Sequence, residues 1–121
     1  MDAPGGVANS NERERRRSLR VLLDVPIVVR GQSVESKPFQ EETFTISVSA
    51  NGALLVLAAK VAVGQTLLLT NSETRDEQEG RVARFGSPHG GLSQVAVEFP
   101  RSVAEFWHIN PPPLSWARDK A

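Results

Sequence analysis

The residues most suited to chemistry are five arginines within nine positions, in the stretch "ERERRRSLR" of residues 12–20. A guanidinium is always charged, presents a planar fork of donors and stacks on rings, so this cluster suits phosphate and purine recognition. Arg16 and Arg20 are four residues apart, close enough to hold one ligand from a curled loop, whereas Arg13, Arg15 and Arg17 add positive potential. A disordered basic arm for solubility or weak nucleic-acid contact is the alternative, and the cluster alone does not decide between the two.

A second group of polar residues lies in "SVSANG", residues 47–52. Ser47 and Ser49 are two apart, so their hydroxyls share one face of a β-strand. Gly52 lets the backbone turn, or approach a ligand without an intervening side chain. This segment predicts a polar strip on a sheet beside a tight turn.

The overall charge limits what the arginines bind. The chain has 14 basic and 14 acidic residues, and a net charge of zero argues against broad binding to nucleic acid or to an anionic membrane. We therefore expect a small anion. The chain contains two Trp, five Phe and no Tyr, which poorly supplies the stacking platform of a single-strand binder.

An enzyme is not expected from this sequence. There is no cysteine, which removes thiolate nucleophiles and cysteine-ligated zinc. His89 lies in the turn-like "SPHGGL", and neither it nor His108 has a nucleophile or a carboxylate at a recognisable catalytic spacing. No metal site and no cofactor are predicted.

The chain shows neither an apolar run as long as a membrane span nor the apolar stretch of a signal peptide at its N-terminus. We expect a cytoplasmic protein without membrane insertion.

Short apolar runs separated by Gly, Pro, Asn or Ser predict five or six antiparallel strands between Val21 and Pro100, which fits a small barrel. Pro26 indicates an edge or a bend. In "ETFTISVS" the alternation predicts that the side chains of Phe44, Ile46 and Val48 face the core and the hydroxyls face outward. Asn51-Gly52 then predicts a hairpin that uses a positive φ.

A short helix is expected after the last strand. Ser102 and the glutamate three residues later form a capping box, and Val103, Phe106 and Trp107 would share one helical face that caps the barrel. The prolines at 111–113 end the helix. The predicted organisation is a disordered segment at residues 1–11, one domain at 12–109 and a Pro-rich tail at 110–121.

Taken together, these motifs resemble the PilZ domain family. Its pattern is R-x-x-x-R in a flexible N-terminal loop, followed by [D/N]-x-S-x-x-G at the end of an early strand of a six-stranded antiparallel barrel. The sequence has "RRSLR" with Arg16 and Arg20, and "SVSANG" with Ser49 and Gly52. Arg13 and Arg17 fit R-x-x-x-R as well, but "RVLLDVP" after Arg20 is similar to the family's lead into its first strand. The similarity extends over roughly residues 12–109.

The resemblance implies a receptor for the bacterial second messenger cyclic di-GMP. It implies a ligand site formed by Arg16, Arg20, Ser47, Ser49 and Gly52, with Arg15 and Arg17 in support. Arg15 resembles family members that take up two stacked ligand molecules. The implied partners are effector proteins of motility, pilus or exopolysaccharide systems. One position departs from the pattern, because Ser47 stands where the family has Asp or Asn.

Three functional hypotheses remain open at the level of sequence. The first is a non-enzymatic cyclic di-GMP receptor whose arginine arm, residues 12–20, closes over the ligand and presents a new surface to a partner. The second, motivated by Ser47, is a degenerate PilZ-type barrel that works as a protein adaptor without the nucleotide. The third is a barrel with a nucleic-acid-binding basic arm.

Overall fold

The computed structural model describes residues 20–109, and the description below concerns that part of the chain. Of the arginine arm it includes Arg20 alone. Arg13, Arg15, Arg16 and Arg17 lie outside the described residues, as do the predicted lead-in and the Pro-rich tail. The predicted domain boundaries therefore stay predictions.

The described residues form seven β-strands and one helical turn. The strands are β1 (Val21–Leu22), β2 (Pro26–Gln32), β3 (Pro38–Ser49), β4 (Gly52–Leu57), β5 (Thr66–Asn71), β6 (Glu77–His89) and β7 (Leu92–Glu98), and a 3₁₀ helix follows at Ala104–Trp107. Every strand pairing is antiparallel. The order β3-β2-β5-β6-β7-β4 closes through a β3–β4 pairing, and the two-residue β1 adds to β3. The predicted six-stranded antiparallel barrel is confirmed.

The barrel interior is filled by branched aliphatic side chains from all six of its strands. Those with the least exposure are Ile27, Val29, Val48, Leu55, Leu57, Leu67, Leu69, Val82, Val95 and Val97. Such side chains pack well on a pleated surface, and each one fully buried contributes about 1.5–3 kcal/mol. A closed barrel leaves no long unpaired edge, which is the stable solution for a small all-β chain.

The predicted alternation in β3 is wrong at its centre and right at its end. Phe44 is 59% exposed and Thr45 is 1% exposed, whereas Val48 lies in the core as expected. The reason is a β-bulge. Thr45 opposes Leu55 and Ser47 opposes Leu54, so Ile46 is an extra residue in β3. The extra residue between them inverts the alternation on either side.

Residues 23–25 connect β1 to β2, and we call this stretch the jog. Its hydrogen bonds explain why Thr45 is buried. Its Oγ1 donates to the Leu23 carbonyl at 2.6 Å and accepts from the Val25 amide at 2.9 Å. The hydroxyl thus satisfies backbone groups of the jog, where the pairing of β1 and β2 with β3 is interrupted. Pro26 begins β2 at this jog, which fits the predicted bend.

The predicted hairpin is present, but the positive φ is not at Gly52. Ser49 opposes Gly52, so the loop consists of Ala50 and Asn51. Among the described glycines, positive φ occurs at 64, 90 and 91 only.

The predicted capping box is also wrong. The 3₁₀ turn begins at Ala104, and its N-cap Val103 makes no side-chain capping bond. The buried Ser102 hydroxyl has no hydrogen-bond partner in the described part of the chain. The expected cap on the barrel is nevertheless present, because Phe106 and Trp107 are buried in the core cluster. Their rings meet edge to face with centroids 4.8 Å apart, and both pack on Phe99.

Candidate ligand site

A pocket lies on the outer wall of the barrel, where β3 turns into β4. We call it the Ser47 pocket. Its lining residues are Arg20, Ser47, Val48, Ser49, Asn51, Gly52, Ala53, Leu54, Arg84, Ala96, Val97 and Glu98. The pocket has a volume of about 120 Å³. Ligand pockets commonly enclose about 300–1,000 Å³, so this volume is smaller than a dinucleotide requires. The described residues therefore form only part of the wall that such a ligand would need.

The structure brings together all of the predicted site residues that it describes. Arg20, Ser47, Ser49 and Gly52 line the Ser47 pocket. They come from separate segments, since Arg20 precedes β1, the serines end β3 and Gly52 begins β4. Antiparallel pairing of β1 and β4 on the two sides of β3 causes this convergence.

Ser47 faces the pocket because of the bulge in β3. It opposes Leu22 on one side and Leu54 on the other, and directly opposed residues share one face of a sheet. Its side chain is only 5% exposed, which makes it part of the pocket floor. A regular strand would have placed Ser47 on the same side as the buried Thr45.

Ser49 is held by both of its oxygen atoms. Its hydroxyl accepts from the Asn51 amide at 3.2 Å, and its carbonyl accepts from the Trp107 indole Nε1 at 2.8 Å. The first contact fixes the two-residue loop and the second fixes the end of β3 to the capping turn. Ser49 is therefore pre-positioned, with its hydroxyl at the pocket wall.

Gly52 is required by a backbone contact within the barrel. A Cβ placed on it would lie 2.0 Å from the carbonyl oxygen of Val97 on the adjacent strand β7. Real Cβ atoms do not approach an oxygen so closely, so no other residue fits without moving β4 or β7. The close approach at Gly52 is that of a neighbouring strand, and the predicted approach of a ligand stays a prediction.

The charges at the pocket are two guanidinium groups, Arg20 and Arg84, and one carboxylate, Glu98. Both arginines are exposed, and neither forms an ion pair within residues 20–109. Two guanidinium groups against one carboxylate give the pocket a net positive charge. It is suited to an anion.

Sequence reasoning missed Arg84, Leu54, Asn51 and Glu98 as pocket residues. "QEGRVARFG" predicted a strand, but the position of Arg84 depends on the strand order β3-β4-β7-β6 and on a second bulge. The signal that could have found it is a charged residue inside an otherwise apolar strand. Asn51 adds a buried Oδ1 that has no hydrogen-bond partner among residues 20–109.

A second depression, of about 400 Å³, lies nearby and is less suited to an anion. Its lining residues are Thr66, Glu79, Gly80, Arg81, Glu98, Phe99 and Pro100. Two carboxylates there face one guanidinium. In the part of the chain that the structure describes, no three His, Asp or Glu residues gather as a metal site would require. Within residues 20–109 no helix has the length and apolar character to cross a membrane.

Comparisons with known proteins show the fold. No family model matches the sequence, and no curated protein matches it. Among solved structures, the chain is similar to the inhibitor of motility MotI/DgrA of Bacillus subtilis, with a TM-score of 0.52 and 20% identity. The match covers 74% of this chain and 44% of that one, so the chain spans less than half the length of this neighbour.

Proposed function

We propose that the protein is a non-enzymatic receptor for cyclic di-GMP, in which Arg16 and Arg20 grip the ligand and Ser47, Ser49 and Gly52 form the wall it rests on. The observation that carries the proposal is that Arg20 lines the same cationic pocket as Ser47, Ser49 and Gly52, which we call the serine motif. Chain segments that are distant in sequence thus supply the two halves of the pattern that the PilZ resemblance rests on.

The chemistry of the described pocket suits this ligand. Cyclic di-GMP is a dianion with two guanines, and an arginine fork gives about 1–3 kcal/mol when it holds a guanine O6/N7 edge. The serine hydroxyls offer donors and acceptors at the floor, and Leu54 offers an apolar contact for a base.

The departure at Ser47 weakens one contact without removing the site. A hydrogen bond that involves a charged group contributes about 1.5–3 kcal/mol, so loss of the family's carboxylate weakens binding roughly ten- to hundredfold. A water molecule in the space left by the shorter side chain offsets part of this loss. The retained positions, Arg16, Arg20, Ser49 and Gly52, outweigh it.

Binding would act through the arginine arm. Residues 12–19 directly precede Arg20, which lines the pocket, so a ligand held there brings the arm against the barrel. The proposed output is a new surface, formed by arm and ligand together, that an effector protein recognises. The structural neighbour is an inhibitor of motility, which supports a motility system as one place for that effector.

Calorimetry with cyclic di-GMP on the full chain tests the proposal. We expect saturable binding to the unaltered protein and at least tenfold weaker binding to Arg20→Ala, because that variant loses a charge-assisted contact. Arg30→Ala is the matched control, since Arg30 is exposed on β2 and lies outside the pocket lining. Absence of heat with the unaltered protein, or equal heat with Arg20→Ala, would overturn the proposal.

The adaptor without a nucleotide remains a second candidate, and the observation that favours it is Ser47 at the family's Asp or Asn position. It predicts protein partners that are captured equally with and without cyclic di-GMP. The receptor predicts capture that depends on the dinucleotide and is lost in Arg20→Ala.

A further inference from the structure

Arg84 on β6 and Arg20 before β1 lie at opposite ends of the row of strands that forms the Ser47 pocket. Five directly opposed residues cross the outer wall of the barrel in one row, which we call the pocket row. It runs through Leu22 on β1, Ser47 on β3, Leu54 on β4, Ala96 on β7 and Arg84 on β6. Three strand spacings of about 4.8 Å separate Ser47 from Arg84, or roughly 14 Å.

Arg84 belongs to this row because of a second bulge. Val82 opposes Val97 and Arg84 opposes Ala96, so one extra residue of β6 lies between consecutive partners. Val82 is fully buried, and in a regular strand Arg84 would point to the same side and into the core. The bulge turns its guanidinium to the outer wall instead.

The two bulges act together. The one in β3 turns Ser47 outward and the one in β6 turns Arg84 outward, on the two sides of the regular β4–β7 pair. Bulges occur next to binding sites because they redirect a side chain without changing the fold. Between them the floor consists of Leu54 and the small, buried Ala96, which leaves room above it.

The charge around Arg84 is available for a ligand. Its side chain is exposed and forms no ion pair within residues 20–109. The one acidic group in the described lining is Glu98, which opposes Gly52 and Arg81 and is displaced from the pocket row by two residues of β7.

We infer that Arg84 is the far cationic end of the ligand site and holds a phosphate of the dinucleotide, while Arg20 holds the near end. This inference rests on the proposed function and extends the site across β4 and β7 to β6. A phosphate fits Arg84 because this guanidinium is exposed at the edge of the pocket, where a charged group keeps contact with water, whereas Ser47 and Ala96 are buried and form with Leu54 a floor suited to a base.

The test is calorimetry with cyclic di-GMP on three single variants of the full chain at low salt. Arg84→Ala is expected to bind about tenfold more weakly, and Arg84→Lys within about threefold of the unaltered protein, because a phosphate accepts a point charge. Arg81→Ala is the control, since Arg81 is exposed on the same strand but lines the second depression. It should bind within about twofold of the unaltered protein. In 0.5 M salt, where the Debye length falls to roughly 4 Å, the deficit of Arg84→Ala should shrink.

Each result has a defined meaning. Equal binding by Arg84→Ala and the unaltered protein overturns the inference and leaves the proposed function standing. If Arg84→Lys binds cyclic di-GMP as weakly as Arg84→Ala, the phosphate assignment is overturned, because a guanine edge requires the two parallel donors of a guanidinium. If the unaltered protein does not bind, the proposed function and this inference fail together. Thermal unfolding of the variants shows whether each is folded.

Discussion

At the scale of single residues, Gly52 shows how one position can serve the fold and the site at once. It belongs to the serine motif, yet its lack of a side chain is demanded by the Val97 carbonyl of the neighbouring strand. Strands β4 and β7 meet at the pocket, so the contact that holds them close together also shapes the floor.

Replacement of Gly52 by alanine is therefore expected to destabilise the whole domain. The added methyl overlaps a backbone oxygen that cannot move aside, and we expect a loss of about 3 kcal/mol or more in the free energy of unfolding. Gly86→Ala is the control, because the atom nearest to its new Cβ is the side-chain oxygen of Gln94, which can rotate away, and the Gln94 Cβ at 3.0 Å requires only a small shift. It should cost less than about 1 kcal/mol. Urea unfolding of both variants measures the difference. Equal stability of the two variants would contradict this explanation.

At the scale of elements, the decisive feature is the jog between β1 and β2. It lets one side of β3 pair first with β2 and then with β1, which leads the chain back from the pocket into the barrel. The hydroxyl of Thr45 bridges the Leu23 carbonyl and the Val25 amide within the jog. This bridge holds the strand that follows Arg20.

Thr45→Val removes the bridge and keeps the shape of the side chain. Two buried backbone groups lose their partner, so we expect the free energy of unfolding to fall by about 1–3 kcal/mol. Thr70→Val is a matched control, since the Thr70 hydroxyl is buried on β5 and no described residue forms a hydrogen bond with it. Its loss should leave stability unchanged or slightly raised. Denaturant midpoints of the two variants decide, and a greater loss in Thr70→Val would refute the assigned role of the bridge.

The sequence is sufficient to predict the strands, the barrel and the capping aromatics, because these follow from hydrophobic patterning and turn residues. It does not predict the bulges at Ile46 and Ala83, since one extra residue leaves the composition of a strand unchanged and alters only its register. For the same reason Phe44 and Thr45 were assigned to the wrong faces, and Arg84 was not recognised as a pocket residue.

The site, like the fold, has one part that the sequence predicts and one part that it does not. Arg20, Ser47, Ser49 and Gly52 are the described residues that the PilZ resemblance implies for the site, and they line one pocket. The far end of the pocket depends on β6 and β7, which lie beside β4 only in the closed barrel. Long-range pairing of this kind carries no local signal in the chain.

At the scale of the whole molecule, the fold places two arginines at the Ser47 pocket in a chain whose acidic and basic residues are equal in number. The chain has as many acidic as basic residues, yet the described pocket lining has two arginines and one glutamate. The arginine arm joins the barrel at this pocket, because Arg20 directly precedes β1. A small dianion could thus be held by local charge without general attraction to polyanions.

The most direct test of this account is a titration of the ¹⁵N-labelled full chain with cyclic di-GMP, followed by the chemical shifts of the backbone amides. We predict saturable shifts at Ser47, Ser49, Gly52 and Arg84, and none at Ser36 or Arg75, whose turns lie outside the pocket lining. Spectra unchanged by the dinucleotide, or shifts confined to residues outside the Ser47 pocket, would contradict it.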